Sequence, residues 1–140
     1  MVRVLLPNRA RISVTSYKDY CDGSDVCVHV PLTAKPAATV DFANGLRARG
    51  GGDSPEATKT GLNRIADEIR THGANRQSIV IHYTDAPPHC ELSDSDRGNK
   101  RGEQDRLNGK EPGYDWVHIC RWFARMNVPV YTFLTARSSQ

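Results

Sequence analysis

Ser78-Ile79-Val80-Ile81-His82-Tyr83-Thr84-Asp85 is the stretch whose reading decides the fold. From Ser78 to Tyr83 it shows almost no apolar–polar alternation, as expected of a central strand covered on both faces. Thr84-Asp85-Ala86-Pro87-Pro88-His89 then reads as the loop leaving that strand. In open α/β sheets, ligands bind outside the carboxyl ends of the strands, so Asp85 stands where a site is expected.

On the N-terminal side, Ser54-Pro55-Glu56 reads as a helix start. Ser54 can cap, Pro55 suits the first helical position, and Glu56 faces the positive end of the helix dipole. The helix behind it repeats Thr58, Leu62, Ile65, Ala66 and Ile69 with helical periodicity and ends near His72-Gly73. Earlier in the chain, Arg11 to Tyr17 is β-branched and alternating, and Val26 to Val30 is a second short strand. The Asp- and Gly-rich residues between them suit a hairpin-like turn. Pro36 to Arg49 places Thr39, Phe42, Ala43 and Leu46 on one helical face, and Gly50-Gly51-Gly52 stops it.

On the C-terminal side, Trp116, Ile119, Cys120, Phe123 and Ala124 form a helical stripe, with Trp116 read as core. Val128 to Leu134 is the last strand, and Pro129 pushes that end toward an edge. Glu91 to Glu111 is a polar stretch almost without apolar residues, expected to be a flexible loop inside one domain spanning residues 1–140. Strand-like and helix-like segments alternate, which predicts an α/β domain with a mostly parallel sheet.

Composition narrows the function classes. The 140 residues are 38% hydrophobic and 25% charged, an ordinary globular balance. No stretch approaches the roughly 18 apolar residues of a spanning helix, and Met1 to Ala10 lacks the apolar block of a secretory signal. Net charge is +3, from 19 basic and 16 acidic side chains. The basic residues of the polar stretch are interleaved with acids and lack aromatic neighbours, which argues against a nucleic-acid groove. Four cysteines are too sparse for a disulfide framework, so they read as free thiols, with Cys120 in a helix core. Together with the missing signal they lean toward a cytoplasmic compartment, with an extracellular one left open.

Two junctions can carry chemistry. The glycine run brings Asp53 and Ser54 to the start of a helix, and Asp85 follows the central strand. Carboxylates and hydroxyls at loop tips suit magnesium, which keeps several waters and takes few protein ligands. The bland reading is that Asp53 and Ser54 cap a helix and Asp85 opens a turn. Other candidates carry less. His89 and Cys90, even joined by His82, Cys21 and Cys27, match no usual zinc spacing. Cys90 with His89 or His118 has no oxyanion signature beside it. The phosphate-loop pattern is absent, though an anion at the Ser54 helix start is physically allowed.

Tyr17-Lys18-Asp19-Tyr20-Cys21-Asp22, Gly50-Gly51-Gly52-Asp53-Ser54-Pro55-Glu56-Ala57 and Thr84-Asp85-Ala86-Pro87-Pro88-His89 follow one another as in von Willebrand factor type A domains. From Arg11 to Leu134 the chain resembles that family, most of all its hemicentin-type and alpha-kinase-associated branch. The resemblance implies a doubly wound, Rossmann-like sheet with a metal-ion-dependent adhesion site on its upper face. The family builds that site from three loops. Carried over, the third-loop Asp is Asp85 and the second-loop position is Asp53, with Ser54 adjacent. The first loop, Asp-x-Ser-x-Ser, is missing; the nearest string, Asp22-Gly23-Ser24-Asp25-Val26, lacks the second serine. By the resemblance, Arg11–Tyr17 is the family's second strand and Met1 to Leu6 the tail of its first helix. The chain then reads as a domain shortened at both ends, lacking the central strand between Arg11–Tyr17 and Ser78–Tyr83.

For function, the resemblance implies a protein-interaction module of the adhesion type with no catalysis of its own. Its protein partner would complete the ion's coordination through an acidic side chain. With one loop gone, the site of Asp53, Ser54 and Asp85 is incomplete and magnesium binding is expected to be weak or absent. Two alternatives stand beside it. One is a metal-dependent hydrolase or phosphoryl-transfer enzyme using Asp53 and Asp85; the other is a fragment of a longer gene with no independent function.

Overall fold

The computed structural model describes residues 10–50, 56–72, 76–88 and 116–135. Strands β1 (Ile12–Tyr17) and β2 (Cys27–Thr33) pair antiparallel, with Val14 opposite Val30 and Tyr17 opposite Cys27. The connection between them is no tight hairpin. Tyr20–Val26 winds as a 3-10 segment, opened by the Asp19 carboxylate accepting the Tyr20 N–H and broken at Gly23. Gly23 has a φ of 63°, a conformation glycine reaches without steric cost. Lys18 N–H donates to the Val26 carbonyl at 2.9 Å and closes the turn. Tyr20, Val26 and Ala57 pack into a small apolar cluster beneath it.

Helix α1 (Pro36–Gly45) opens on proline and lies over β1 and β2. It ends at Gly45, short of the expected Arg49. Of the four residues expected to face inward, Thr39 is buried and Phe42 half-buried, while Ala43 and Leu46 are exposed. Helix α2 (Thr58–His72) follows its predicted stripe closely: Thr58, Leu62, Ala66 and Ile69 are buried and Ile65 is half-buried. Its start is displaced, however. Glu56 is extended and forms a parallel bridge with Pro88, so its expected place in the first helical turn is corrected. Ser54 and Pro55 lie outside the described residues.

Strand β3 (Val80–Thr84) pairs parallel with β4 (Val130–Leu134), and helix α3 (Trp116–Arg125) precedes β4. Asn127, at a φ of 53°, ends α3 in the left-handed conformation, and Val128 N–H returns to the Phe123 carbonyl at 2.9 Å. The main core gathers Leu62, Ala66 and Ile69 from α2, Ile119 and Phe123 from α3, and Val80 and Val128. Each large apolar side chain buried this way contributes about 1.5–3 kcal/mol before entropy is subtracted.

The expected doubly wound, Rossmann-like, mostly parallel sheet is corrected by this topology. The described strands form two separate two-stranded sheets, one antiparallel and one parallel, with three α-helices. The physical reason lies in the stretch that suggested otherwise. Val80 and His82 are buried, but Ile79, Ile81 and Tyr83 are 63%, 53% and 65% exposed. The run is apolar on both faces and covered on one, among the described residues. In α3 the stripe is also narrower than expected: Ile119 and Phe123 are buried, whereas Trp116, Cys120 and Ala124 are exposed. Trp122 takes the inner position instead, edge-on to Phe123 at 5.2 Å, with the Arg70 guanidinium 5.9 Å from its ring. The expected loop Glu91–Glu111 and the Met1–Leu6 segment lie outside the described residues.

Candidate functional site

The loops that leave β1 and β3 meet at one end of the molecule. The Thr84 hydroxyl donates to the Ala86 carbonyl at 2.9 Å and accepts the Ala86 N–H at 3.3 Å, folding the chain back just after β3. Asp85 sits at the tip of this turn and is exposed. Glu56 N–H donates to the Pro87 carbonyl at 2.9 Å, and the neighbouring Ala57 N–H donates to the Lys18 carbonyl at 3.0 Å. The Glu56-Ala57 dipeptide is thereby tied to both sides. Asp19 is fully buried beside it, accepting the Tyr20 N–H at 2.6 Å and the Cys21 thiol at 3.2 Å.

Of the three expected metal ligands, Asp85 is the one the structure describes, while Asp53 and Ser54 lie outside the described residues. The nearest string to a first metal loop, Asp22 to Val26, is wound into the 3-10 segment. Among the described residues, no group of three or more His, Cys, Asp or Glu side chains is placed to hold a metal ion.

Two side-chain chains run through the interior that sequence reasoning missed. In the first, Thr15 Oγ1 and His29 Nδ1 share a 2.8 Å hydrogen bond, and His29 Nε2 lies 3.2 Å from Glu68 Oε2. Glu68 Oε1 accepts the Leu32 N–H at 2.7 Å. Burial pushes the Glu68 carboxyl up, but the Leu32 N–H, the His29 hydrogen bond and the nearby His29 and His72 charges outweigh it and hold the group below its usual range. Hydroxyl, imidazole and carboxylate in a row have the order of a nucleophile triad. The imidazole and carboxylate side chains are only 5% and 7% exposed, however, and the carboxylate is committed to the β2 backbone. The row fastens α2 to the β1–β2 sheet. Thr15 and His29 are direct cross-strand partners, which is the one local signal that could have found them.

In the second chain, Tyr17 Oη lies 2.6 Å from His82 Nε2, and His82 Nδ1 lies 3.2 Å from Thr132 Oγ1. This joins β1, β3 and β4. Burial pushes the His82 pKa down, favouring the neutral ring. Tyr17 reaches His82 by lying against Gly61 of α2, where a Cβ would come within 2.8 Å of its ring.

Cys21 and Cys27 are poor candidates for nucleophilic work. The hydrogen bond to Asp19, with burial and the charges of Asp19 and Asp22, pushes Cys21 up to about 11. Burial raises Cys27 as well, against the opposing charge of Arg64. Both therefore stay protonated at neutral pH, and it is the thiolate that attacks. Cys21, Cys27 and Cys120 are free.

No family model and no solved structure matches the chain. A curated relative does: an ariadne-like RING finger protein of Acanthamoeba polyphaga mimivirus, 37% identical over 123 residues. The match takes in 88% of this chain and 12% of that protein, so the chain spans a small part of its relative's length. This finding corrects the assignment to the von Willebrand factor A family, and with it the adhesion-type module and its metal-ion-dependent adhesion site. The relative to which the chain is similar is described as a RING finger protein.

Proposed function

We propose that the chain serves as a protein-binding segment in a RING-finger-type protein of the ubiquitin-ligase class. The observation that carries this reading is the 37% identity to the ariadne-like relative across most of the chain. Proteins of that kind act as ubiquitin ligases and engage protein partners such as ubiquitin-conjugating enzymes. At the level of a whole protein, the expectation of no part in catalysis is therefore set aside.

A RING finger is a structural zinc site with closed sets of Cys and His ligands. The residues described here do not fit one. Among the described residues, Cys120 is exposed on α3 and no three ligand side chains cluster. In this reading the chain's share of the work is to hold a protein. In keeping with a protein-facing role, no helix among the described residues is long and apolar enough to cross a membrane.

Metal content and ubiquitin discharge test the reading together. The purified chain is expected to contain less than a tenth of an equivalent of zinc by elemental analysis. It is also expected to leave the discharge of a ubiquitin-loaded conjugating enzyme unaccelerated. Stoichiometric zinc with accelerated discharge would show instead that the chain is itself the catalytic RING element. For Asp53, Ser54 and Asp85 we retain a weak hard-cation site as a proposal, checked by magnesium titration in a calorimeter: millimolar or weaker binding that Asp85→Asn removes supports it, and no heat refutes it.

A further inference from the structure

We infer that the outer face of the β3–β4 sheet is a dimer interface, covered by the same face of a second copy of this chain with its strands running the opposite way. The inference goes beyond the ubiquitin-ligase reading and does not rest on it.

The two sheets differ in how they are covered. Both α1 and α2 pack on β1 and β2, and most residues of those strands are half-buried. Along β3, Val80 and His82 are buried, while Ile79, Ile81 and Tyr83 stand open to solvent. On β4, Tyr131 and Phe133 are likewise 56% and 51% exposed. The parallel register sets Ile81 beside Tyr131 and Tyr83 beside Phe133, so the exposed side chains form one continuous face. Tyr83 and Phe133 stack within it, their ring centroids 5.2 Å apart.

The area of this face fits a second copy. Taking roughly 200 Å² for each large side chain, Ile79, Ile81, Tyr83, Tyr131 and Phe133 leave about 550–600 Å² open, at the top of what monomeric proteins expose in one patch. Two such faces together remove about 1,100–1,200 Å² from water before any rim is counted, the threshold of a specific interface. Aromatic residues without charges are also the composition of interface centres. The polar stretch Glu91–Glu111 of the same chain has only Leu92 and Leu107 as large apolar residues, too little to match the face.

Charge chooses the orientation. Two identical sheets stacked face to face about a two-fold axis have their strands running either the same way or opposite ways. Arg76 lies ahead of β3 and Asp85 just beyond it, both exposed and neither with an ion partner among the described residues. Strands running the same way would set each Asp85 against Asp85 and each Arg76 against Arg76. Strands running opposite ways bring every Arg76 toward the other copy's Asp85. Like charges in juxtaposition are costly, so the opposed arrangement is favoured. Its axis passes close to Ile81, because Arg76 and Asp85 are evenly spaced in sequence about the Val80–Ile81 bond. An interface of threshold size holds weakly, so the dilute chain is a monomer.

Sedimentation equilibrium of the full chain at low salt, without added divalent cations, tests the proposal. A monomer–dimer equilibrium is expected with its midpoint at about 10–100 µM. Ile81→Arg sets like charges against each other near the axis and is expected to weaken the dimer at least about tenfold. The urea midpoint of the dilute Ile81→Arg monomer is expected to stay unchanged. Arg76→Glu and Asp85→Arg are each expected to weaken the dimer about threefold or more, and the double variant to return within about twofold of the original. Hydroxyl-radical labelling of Tyr83 and Tyr131 is expected to fall as concentration rises through the midpoint. The proposal is overturned by a chain that stays monomeric at millimolar concentration, by a dimer indifferent to Ile81→Arg, or by a double variant no tighter than the single ones. Labelling already low in the dilute monomer also overturns it, since the chain's own residues then cover the face. None of these outcomes depends on zinc content or ubiquitin discharge.

Discussion

Gly61 is a position where the absence of a side chain holds two sheets in register with each other. A Cβ there would meet Tyr17 Cδ1 at 2.8 Å, and the ring it displaces carries the hydroxyl bonded to His82. Alanine is the better helix former by about 1 kcal/mol. Gly61→Ala is nevertheless expected to lower stability by about 1–3 kcal/mol in urea unfolding, since overpacking outweighs propensity. Glu68 makes a second prediction. Its folded-state pKa is lowered, so the unfolded chain binds the proton more readily. The stability Glu68 provides is complete above the ordinary carboxylate range and is lost as pH falls through that range toward the lowered value. Glu68→Gln is expected to cost about 1–3 kcal/mol at pH 7 and to flatten the acid side of the stability–pH curve, measured by urea unfolding at intervals from pH 7 to pH 3. Neither residue announced itself beforehand. Glu68 was one more polar position on a helix, and its partners His29 and Leu32 lie in a strand about 39 and 36 residues away. Pairings that distant leave no local pattern to read.

At the scale of elements, periodicity was a good guide where one face is buried and a poor one where both are apolar. The α2 stripe of Leu62, Ala66 and Ile69 was legible because three- and four-residue spacing admits one interpretation. The Ser78–Tyr83 run was not, since an apolar residue on an uncovered face looks the same in sequence as one on a covered face. This contrast can be measured. Val80→Thr is expected to cost about 1–3 kcal/mol, because Val80 is 4% exposed in the main core. Ile81→Thr, one residue on, is expected to stay within about 0.5 kcal/mol, with Ile81 53% exposed. Equal costs would mean that the outer face is covered in solution. Glu56, the described residue of the Ser54-Pro55-Glu56 helix start, lies ahead of α2 for a related reason. Glu56 was claimed by the Pro87 and Pro88 backbone, and a tertiary hydrogen bond outranks a capping preference.

For the whole molecule, the alternation of helix and strand was visible in the sequence, but the pairing of strands was not. Whether neighbouring strands close into one sheet or stand as two depends on which edges meet, and the apolar–polar pattern along each strand does not say which. The candidate site fared the same way: Asp85 was placed at the end of a strand, and the structure puts it there, exposed and without a ligand cluster. The family assignment drawn from motif order gave way to the ariadne-like relative. The two tryptophans of α3 now divide a labour that the stripe had assigned the other way round. Trp122 packs edge-on to Phe123 beneath the Arg70 guanidinium, while Trp116 faces outward. The protein therefore carries a built-in optical gauge. With Trp116 replaced by phenylalanine, its ultraviolet fluorescence comes from a single half-buried indole packed against the core, and the colour of that light follows the seam between α2 and α3 without any added dye.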